Sequence, residues 1–315
     1  MVDMRVAIGG IELANPVMPA SGTFAEGLDK AVDLDRLGAL VIKTITRELR
    51  IGNATPRVCE TPEGMLNSIG IPSKGLAYFH AETLPLYRRF RPPLVVSISA
   101  PTVDGFASLA AAVSEPGVAA IEANISCPNL EEDGRAFALE AESTERVVAA
   151  MREATRLPLW VKLSPNAAYV ADVGRAAEAA GADALVVANT LLAMSIDVHT
   201  RKPRLGSVMG GLSGPAIRPV IVRMVYQCAR AVGIPVVGCG GIMTAEDALE
   251  YVLAGASAVQ VGTATFLEPT AMLAVLDGLE RLCRRHDVDR FSELVGAVRI
   301  EEADETDLDW VDPLG

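Results

Sequence analysis

The sequence predicts a (β/α)₈ barrel, and two features of the chain carry that prediction. Eight short runs are apolar on both faces, which is typical of parallel strands covered by helices. Amphipathic helical stretches lie between most of these runs. Eight such units in about 250 residues are the profile of a barrel. An open doubly wound sheet is the alternative, but no Gly-x-Gly-x-x-Gly follows any run to support it.

The predicted strands share a local signal, in which a glycine next to a small residue ends a helix and an apolar run follows. It precedes the second, fourth, sixth and eighth strands, most clearly at Ala180-Gly181-Ala182 and Ala254-Gly255-Ala256. The strands are predicted at Val17–Ala20, Leu40–Thr44, Leu94–Ser99, Ala120–Ile125, Leu159–Leu163, Ala184–Ala188, Pro235–Gly238 and Ala258–Val261. Helices are predicted at Thr144–Thr155, Val170–Ala180, Ala216–Ala231 and Ala245–Ala254.

Two connections are too long for plain strand-to-helix loops. Ile45–Phe79 follows the second predicted strand, and Leu191–Ser213 follows the sixth. Loops of this length are usually lids or binding loops, and both belong to the C-terminal face where barrel enzymes act. We expect one domain over residues 1–315, with an acidic tail at about 301–315.

Composition narrows the possible partners. The net charge is −12 and the pI is near 4.8, which argues against nucleic acid or an anionic membrane surface. Five cysteines without a Cys-x-x-Cys pair give no zinc or iron–sulfur signature, so no metal is expected on this chain. Reduced thiols, no signal peptide and no apolar run of membrane length favour a cytoplasmic protein.

Cys127 stands at the end of the fourth predicted strand, within Asn124-Ile125-Ser126-Cys127-Pro128-Asn129-Leu130. A thiol flanked by two amides on a strand-end loop could hold a flat polar ring and remove a proton from it. The alternative is a free cysteine that packs as a small hydrophobe.

Other strand ends also carry chemistry. Lys43 and Lys162 each end an apolar strand and would neutralise an anionic ligand or a reduced ring, unless they reach past the strand end to solvent. The glycine turns at 238–241 and 262–263 are typical of a phosphate site, with ligand-free tight turns as the alternative. Cys239 has no evident base beside it, so a structural role is expected. A planar, pyrimidine-like ligand would suit the amide and hydroxyl groups of Asn67, Asn124, Asn129, Asn189 and Thr190.

Together these motifs resemble class 1 dihydroorotate dehydrogenases over residues 5 to 290. The resemblance rests on Ala20–Thr23, Ile42–Thr44, Pro56-Arg57, Gly64–Ile71, Asn124–Asn129, Val161–Leu163, Ala188–Thr190, Gly210–Gly214 and the two glycine turns. Met194–Asp197, leading into Gly210–Pro215, is most similar to the class 1B catalytic subunit.

The resemblance implies a TIM barrel that binds FMN and oxidises (S)-dihydroorotate to orotate in pyrimidine synthesis. Cys127 would take the C5 proton while hydride passes from C6 to FMN N5, and Lys162 would stabilise the reduced flavin. The implied substrate residues are Lys43, Asn67, Ser68, Ile69, Gly70, Ile71, Asn124, Asn129, Asn189 and Thr190. The implied FMN residues are Ser21, Lys43, Thr44, Ser97, Asn124, Lys162, Ala188, Gly214, Gly240, Gly241, Gly262 and Thr263.

Class 1B membership would imply a homodimer that joins a partner subunit carrying FAD and a [2Fe-2S] cluster, which passes electrons to NAD⁺. This chain departs from many relatives at Ser97, where they carry an asparagine that contacts the flavin. The segment after Gly70 resembles the fumarate-using class 1A equally well, so fumarate remains an alternative acceptor.

Three further alternatives remain open at this point. One is a flavoenzyme like the dihydropyrimidine dehydrogenases, which share the Asn-x-Ser-Cys-Pro-Asn run. Another is an aldolase-type barrel in which Lys162 forms a Schiff base. The last is a scaffold subunit without flavin, which would have no need for polar residues at every strand end.

Overall fold

The computed structural model describes residues 2–126 and 136–300, and it confirms the predicted barrel. The strands are β1 Val6–Ile8, β2 Ile11–Leu13, β3 Val17–Pro19, β4 Leu40–Ile45, β5 Val58–Thr61, β6 Gly64–Asn67, β7 Leu94–Ile98, β8 Ala120–Asn124, β9 Leu159–Lys162, β10 Ala184–Val187, β11 Leu191–Ala193, β12 Ile196–Asp197, β13 Lys202–Pro203, β14 Gly210–Ser213, β15 Val236–Cys239 and β16 Ala256–Val261.

The α-helices are α1 Leu76–Tyr78, α2 Leu84–Tyr87, α3 Val103–Val113, α4 Ala141–Ala154, α5 Val170–Ala179, α6 Arg218–Ala231, α7 Ala245–Leu253, α8 Ala264–Leu267 and α9 Ala271–Arg285. A π-helical turn, Phe79–Thr83, joins α1 to α2. Helix α7 begins with a reciprocal cap, because the Thr244 hydroxyl accepts from the Asp247 N–H while the Asp247 carboxylate accepts from the Thr244 N–H.

Eight parallel strands form the barrel, in the order β3-β16-β15-β10-β9-β8-β7-β4. All eight predicted strands are confirmed, with ends that differ by at most two residues. The four predicted helices correspond to α4, α5, α6 and α7. Strands such as Leu94–Ile98 and Ala184–Val187 are buried at every position, since one face meets the barrel interior and the other meets helices.

The ring closes between β3 and β4, and a glycine makes this closure possible. The Gly38 N–H donates to the Val17 carbonyl at 2.8 Å. A β carbon at Gly38 would lie 2.0 Å from the Asn15 carbonyl oxygen, so only glycine fits there. The Asn15 side chain supports the same seam by accepting from the Val17 N–H and donating to the Arg36 carbonyl.

The two ends of the barrel are covered differently. At the N-terminal end, the turn of the β1–β2 hairpin packs on Trp160, since a β carbon at Gly9 would lie 3.0 Å from Trp160 Nε1. At the C-terminal end, the two long connections fold together into one antiparallel sheet of order β11-β14-β6-β5. We call this four-stranded sheet the flap. From the sequence we expected lids or binding loops on this face, but not the pairing of the two connections in one sheet.

Some expectations concern residues outside the described part of the chain. Cys127, Asn129 and the acidic segment 301–315 belong to that group. Among the helices of residues 2–126 and 136–300, none is long and apolar enough to cross a bilayer.

We predict that Gly38→Ala lowers the free energy of unfolding by about 1 to 3 kcal/mol, because the new methyl group meets a backbone carbonyl that holds the barrel seam. Denaturant unfolding of the protein without ligand measures this loss. Gly22→Ala is the matched control, since a β carbon built at Gly22 meets no atom of the described residues within 4 Å, apart from its two neighbours in the chain. Equal stability of the two variants would contradict the role of Gly38.

Candidate active site

The predicted site residues of the described chain gather at the C-terminal end of the barrel, because parallel strands all end on the same rim. The strand ends contribute Ser21 after β3, Lys43 and Thr44 on β4, Ser97 on β7, Asn124 on β8, Lys162 on β9, Ala188 to Thr190 after β10, Gly240 and Gly241 after β15, and Gly262 and Thr263 after β16.

The Asn124 side chain is the centre of a network of amides and hydroxyls. Its Nδ2 donates to Thr44 Oγ1 at 3.3 Å, and its Oδ1 accepts from Ser126 Oγ at 3.0 Å and from Asn189 Nδ2 at 3.4 Å. Asn189 Nδ2 also donates to Ser126 Oγ at 2.8 Å, while its Oδ1 accepts the Thr190 N–H. The polar groups are thereby held in fixed orientations before any ligand binds.

Ser97 is fully buried, and its hydroxyl lies 3.0 Å from Thr44 Oγ1. Through this contact the Ser97 hydroxyl supports the hydroxyl of Thr44 at the rim.

A second network lies within the barrel and was missed by the sequence analysis. Both oxygens of the Glu122 carboxylate accept hydrogen bonds, from Ser21 Oγ at 2.6 Å and from Gln260 Nε2 at 2.7 Å. Gln260 Oε1 accepts from Lys162 Nζ at 3.3 Å, and Lys162 Nζ also lies 3.7 Å from Cys239 Sγ. Glu122 and Gln260 are completely buried, and Lys162 is only 5% exposed.

A signal for this network was present in the sequence. Glu122 and Gln260 are single polar residues within otherwise apolar barrel strands, at Ala120-Ile121-Glu122-Ala123 and Ala258-Val259-Gln260-Val261. A polar side chain at such a position must find a partner inside the barrel, because burying it without a hydrogen bond is costly.

The charge of Lys162 follows from its surroundings. Burial acts to lower the pKa of Lys162, but the neighbouring Cys239 and Glu122 outweigh it, so the pKa is raised above its ordinary value. Burial likewise raises the pKa of the Cys239 thiol, against the pull of Lys162. At neutral pH Lys162 therefore carries its positive charge, and the Cys239 thiol keeps its proton. A protonated Lys162 does not suit the Schiff-base alternative, which needs a free amine.

Lys43 lies on β4, three strands around the barrel from Lys162 on β9. It is half-buried, and its Nζ donates to the Gly22 carbonyl at 2.9 Å. A cavity of about 310 Å³ opens beside Lys43 and Thr44, with Phe24 and Tyr78 among its walls. Its size is at the lower end of the usual range for ligand pockets.

The flap positions the predicted substrate loop over this rim. Asn67 ends β6, and its Nδ2 donates to the Gly211 carbonyl on β14 at 3.2 Å. The Ser68 hydroxyl is tied to Ser207 at 2.9 Å. Gly70 and Ile71 have φ angles of 77° and 49°, and a positive φ at a β-branched residue is rare and often marks a functional site.

The glycine turns form a cradle of bare backbone. A β carbon at Gly241 would lie 2.6 Å from the Gly214 carbonyl oxygen, and one at Gly262 would lie 3.2 Å from Ala20 Cβ. The buried Tyr251 hydroxyl donates to the Gly240 carbonyl and holds the turn in place. Backbone without side chains at the ends of the last two barrel strands fits the phosphate group of a cofactor.

No group of three or more His, Cys, Asp or Glu side chains within the described chain could hold a metal ion. The polar groups that converge here are instead amides, hydroxyls, the ammonium groups of Lys43 and Lys162 and the buried Glu122 carboxylate. Such a set suits an organic ligand with neutral and anionic parts.

Comparisons with known proteins agree with this chemistry. A profile of the family described as "Dihydroorotate dehydrogenase" matches residues 3–283. Chains named "Dihydroorotate dehydrogenase B (NAD(+)), catalytic subunit" are similar over nearly their whole length. Those from Pelobacter propionicus, Desulforamulus reducens and Porphyromonas gingivalis are 50%, 47% and 45% identical, over 94%, 95% and 96% of this chain and 98%, 99% and 99% of theirs.

We predict that Asn124→Ala destabilises the ligand-free protein by about 1 to 3 kcal/mol, because it leaves buried partners of the Asn124 amide unsatisfied. Urea unfolding measures the loss. Asn166→Ala is the control, since the exposed Asn166 also bonds Ser164 and the Thr190 carbonyl but water can replace those contacts. Losses of the same size in both variants would contradict a preformed network.

Proposed function

Because the chain belongs to the dihydroorotate dehydrogenase family, we propose that it oxidises (S)-dihydroorotate to orotate, using bound FMN, in pyrimidine biosynthesis. The observation that carries the proposal is the meeting of three elements on one rim. These are the amide network around Asn124, the buried ammonium of Lys162 and the glycine cradle at Gly240 and Gly241. The amide network suits a flat polar substrate, the ammonium suits a negatively charged ring, and the glycine cradle suits the phosphate of a cofactor.

The residues divide between two ligands. Lys162, Thr44 and the cradle would hold FMN, with its phosphate at the glycine turns and Lys162 supplying positive charge. Ser21 would contribute to the same site from the barrel interior, since its hydroxyl donates to the buried Glu122 carboxylate. FMN, when bound, supplies the acceptor for the hydride that leaves C6 of the substrate.

The substrate would lie against the amide network and the loop at the end of β6. Asn67, Asn124 and Asn189 can each donate and accept hydrogen bonds, as the alternating carbonyl and N–H groups of a dihydropyrimidine require. Lys43 would pair with the substrate carboxylate. The flap strand β14 lies directly on Thr190, because a β carbon at Gly211 would lie 1.9 Å from Thr190 Oγ1.

Cys127 would take the proton from C5 of the substrate. Asn124 and Ser126, which precede it, are fixed by hydrogen bonds at the rim, and Asn129 follows two residues later. A thiol has an ordinary pKa near 8.5, so we expect proton removal to become faster as pH rises towards that value.

The first test is anaerobic addition of dihydroorotate to the purified chain. We expect a flavin absorption band that bleaches on mixing. In Cys127→Ser we expect the flavin to stay bound and to be reduced more than tenfold more slowly at neutral pH, because a serine hydroxyl is a far weaker base.

Cys59→Ser is the matched control, since Cys59 lies half-buried on the flap strand β5. A Cys127→Ser protein that reduces flavin at the normal rate would remove Cys127 from its role. A flavin that dihydroorotate does not reduce would redirect the assignment to another pyrimidine, and a chain that cannot bind FMN would overturn the proposed function.

We further propose that electrons pass to NAD⁺ through a partner subunit that carries FAD and a [2Fe-2S] cluster. The relatives are named as catalytic subunits of NAD⁺-linked enzymes. The sequence has neither a dinucleotide fingerprint nor a Cys-x-x-Cys pair, so another chain would supply both groups. A cytoplasmic location is supported by the four described cysteines, all free thiols.

An exposed apolar stripe on the segment after β10 supports assembly with other chains. Leu192, Met194, Ile196 and Val198 alternate along the extended segment and are 49%, 46%, 52% and 76% exposed. Contiguous apolar surface of this kind is typical of protein interfaces. We propose a homodimer of this chain that joins two partner subunits as a heterotetramer.

We predict that the chain produced alone reduces its flavin with dihydroorotate but does not sustain NAD⁺ reduction. The complex isolated from the native organism through an affinity tag should contain iron and FAD and should produce NADH. Fumarate serves as the control acceptor. Rapid fumarate turnover by the chain alone, with an iron-free tagged preparation, would contradict the partner and favour the fumarate-linked alternative.

A further inference from the structure

The Glu122 carboxylate determines which way the Gln260 amide points. Both carboxylate oxygens accept hydrogen bonds, from Ser21 and from Gln260, and an ionised carboxylate has no proton to give. Gln260 must therefore turn its NH₂ group to Glu122. Its carbonyl oxygen then faces Lys162 Nζ at 3.3 Å. The orientation of the Gln260 amide therefore follows from the Glu122 carboxylate, although the oxygen and nitrogen ends of an amide are similar in shape.

An amide between the two charges differs from a direct ion pair in its effect on Lys162. A carboxylate in direct contact with Lys162 would draw the ammonium down into the barrel and use its N–H groups. Here a neutral carbonyl holds it, while the balancing charge stays one side chain away. Among the described residues Lys162 bonds Gln260 and contacts Cys239, so a third N–H remains for a ligand at the rim.

We propose that Glu122 and Gln260 are positioning residues that hold Lys162 protonated and aimed at the cofactor site. The inference rests on the proposed function, because it concerns the action of Lys162 on bound FMN. Ser21 contacts Glu122 at one end of this chain of side chains, and Cys239 contacts Lys162 at the other.

The titration of Lys162 separates this role from a purely structural one. On the described strands around Lys162, the titratable groups that face it are Cys239 on β15 and Glu122 on β8. Burial acts to lower the pKa of Lys162, and the neighbouring Cys239 and Glu122 oppose it. Without the Glu122 carboxylate, Lys162 should lose its proton at a lower pH. A structural role would change the stability of the barrel but not this titration.

Sulfite is the probe for the charge on Lys162 in the FMN-loaded protein. Its sulfur lone pair forms a bond to flavin N5 without any further oxidant, and the adduct carries negative charge that a nearby ammonium stabilises. The sulfite Kd is read from the loss of flavin absorbance between pH 6 and 10. Dividing each variant's Kd by that of the wild-type protein cancels the ionisation of sulfite itself.

We expect the Kd ratio for Glu122→Gln to be one or below at the acid end, where Lys162 is protonated in both proteins. The ratio should rise to about tenfold or more towards alkaline pH, as Lys162 of the variant loses its proton first. Gln260→Met should give a ratio of about ten across the whole range, because Lys162 loses its acceptor but Glu122 keeps its charge.

Glu178→Gln is the control, because it also replaces a hydrogen-bonded carboxylate with an amide. The Glu178 carboxylate accepts the Gly233 N–H far from the rim. We expect a ratio of one at every pH. Thermal unfolding of each variant shows whether it folds, and if Glu122→Gln does not fold, Gln260→Met alone decides. A ratio of one for the folded variants would overturn the inference while leaving the proposed function intact. A wild-type chain that cannot bind FMN would overturn both.

Discussion

The hydrogen bond from the Gly38 N–H to the Val17 carbonyl closes the ring of strands, and the geometry of the rim depends on that closure. In an open parallel sheet, the ends of the first and last strands would lie far apart. In the closed ring, Ser21 after β3 can reach Glu122 on β8 across the interior, although the two residues are 101 positions apart in the chain. The close approach at Asn15 that demands a glycine is therefore a requirement of the site as well as of the fold.

The closed ring also creates the problem that the interior network resolves. Its centre is closed to solvent, since Glu122 and Gln260 are completely buried there, and an isolated charge would be strongly unfavourable. Glu122 and Lys162 are accommodated together, with Ser21 and Gln260 satisfying both carboxylate oxygens. The rim above adds neutral amides and hydroxyls together with the ammonium of Lys43. The paired charges of Glu122 and Lys162 thus lie in one buried layer, while the amides of the rim provide direction and shape.

The barrel strands could be predicted from the sequence because burial on both faces leaves an uninterrupted apolar signal in each strand. The flap could not, since Val58–Thr61 is half exposed and pairs through β6 with Gly210–Ser213, a segment about 150 residues later. No local pattern encodes such a pairing. The strand ends and their motifs identified most of the rim residues that the structure brings together.

The interior network shows a different limit of sequence reasoning. A lone Glu122 or Gln260 inside an apolar strand signals a need for a partner, but the identity of that partner depends on strand register. Cys239 was assigned a structural role because no base was near it in sequence, and the fold brings Lys162 to its thiol from a strand 77 positions away. Register is a property of the assembled sheet, so it emerges only with the three-dimensional structure.

The exposed apolar stripe on the segment after β10 has a consequence for a newly made chain. A newly made copy presents four alternating apolar side chains on an extended segment, which is the kind of surface that recruits wrong neighbours. Cells that make this chain would therefore gain from synthesising it in step with whatever covers the stripe. Copies whose stripe stays uncovered would be recognised by chaperones and proteases, so covering the stripe would raise the amount of this chain that survives.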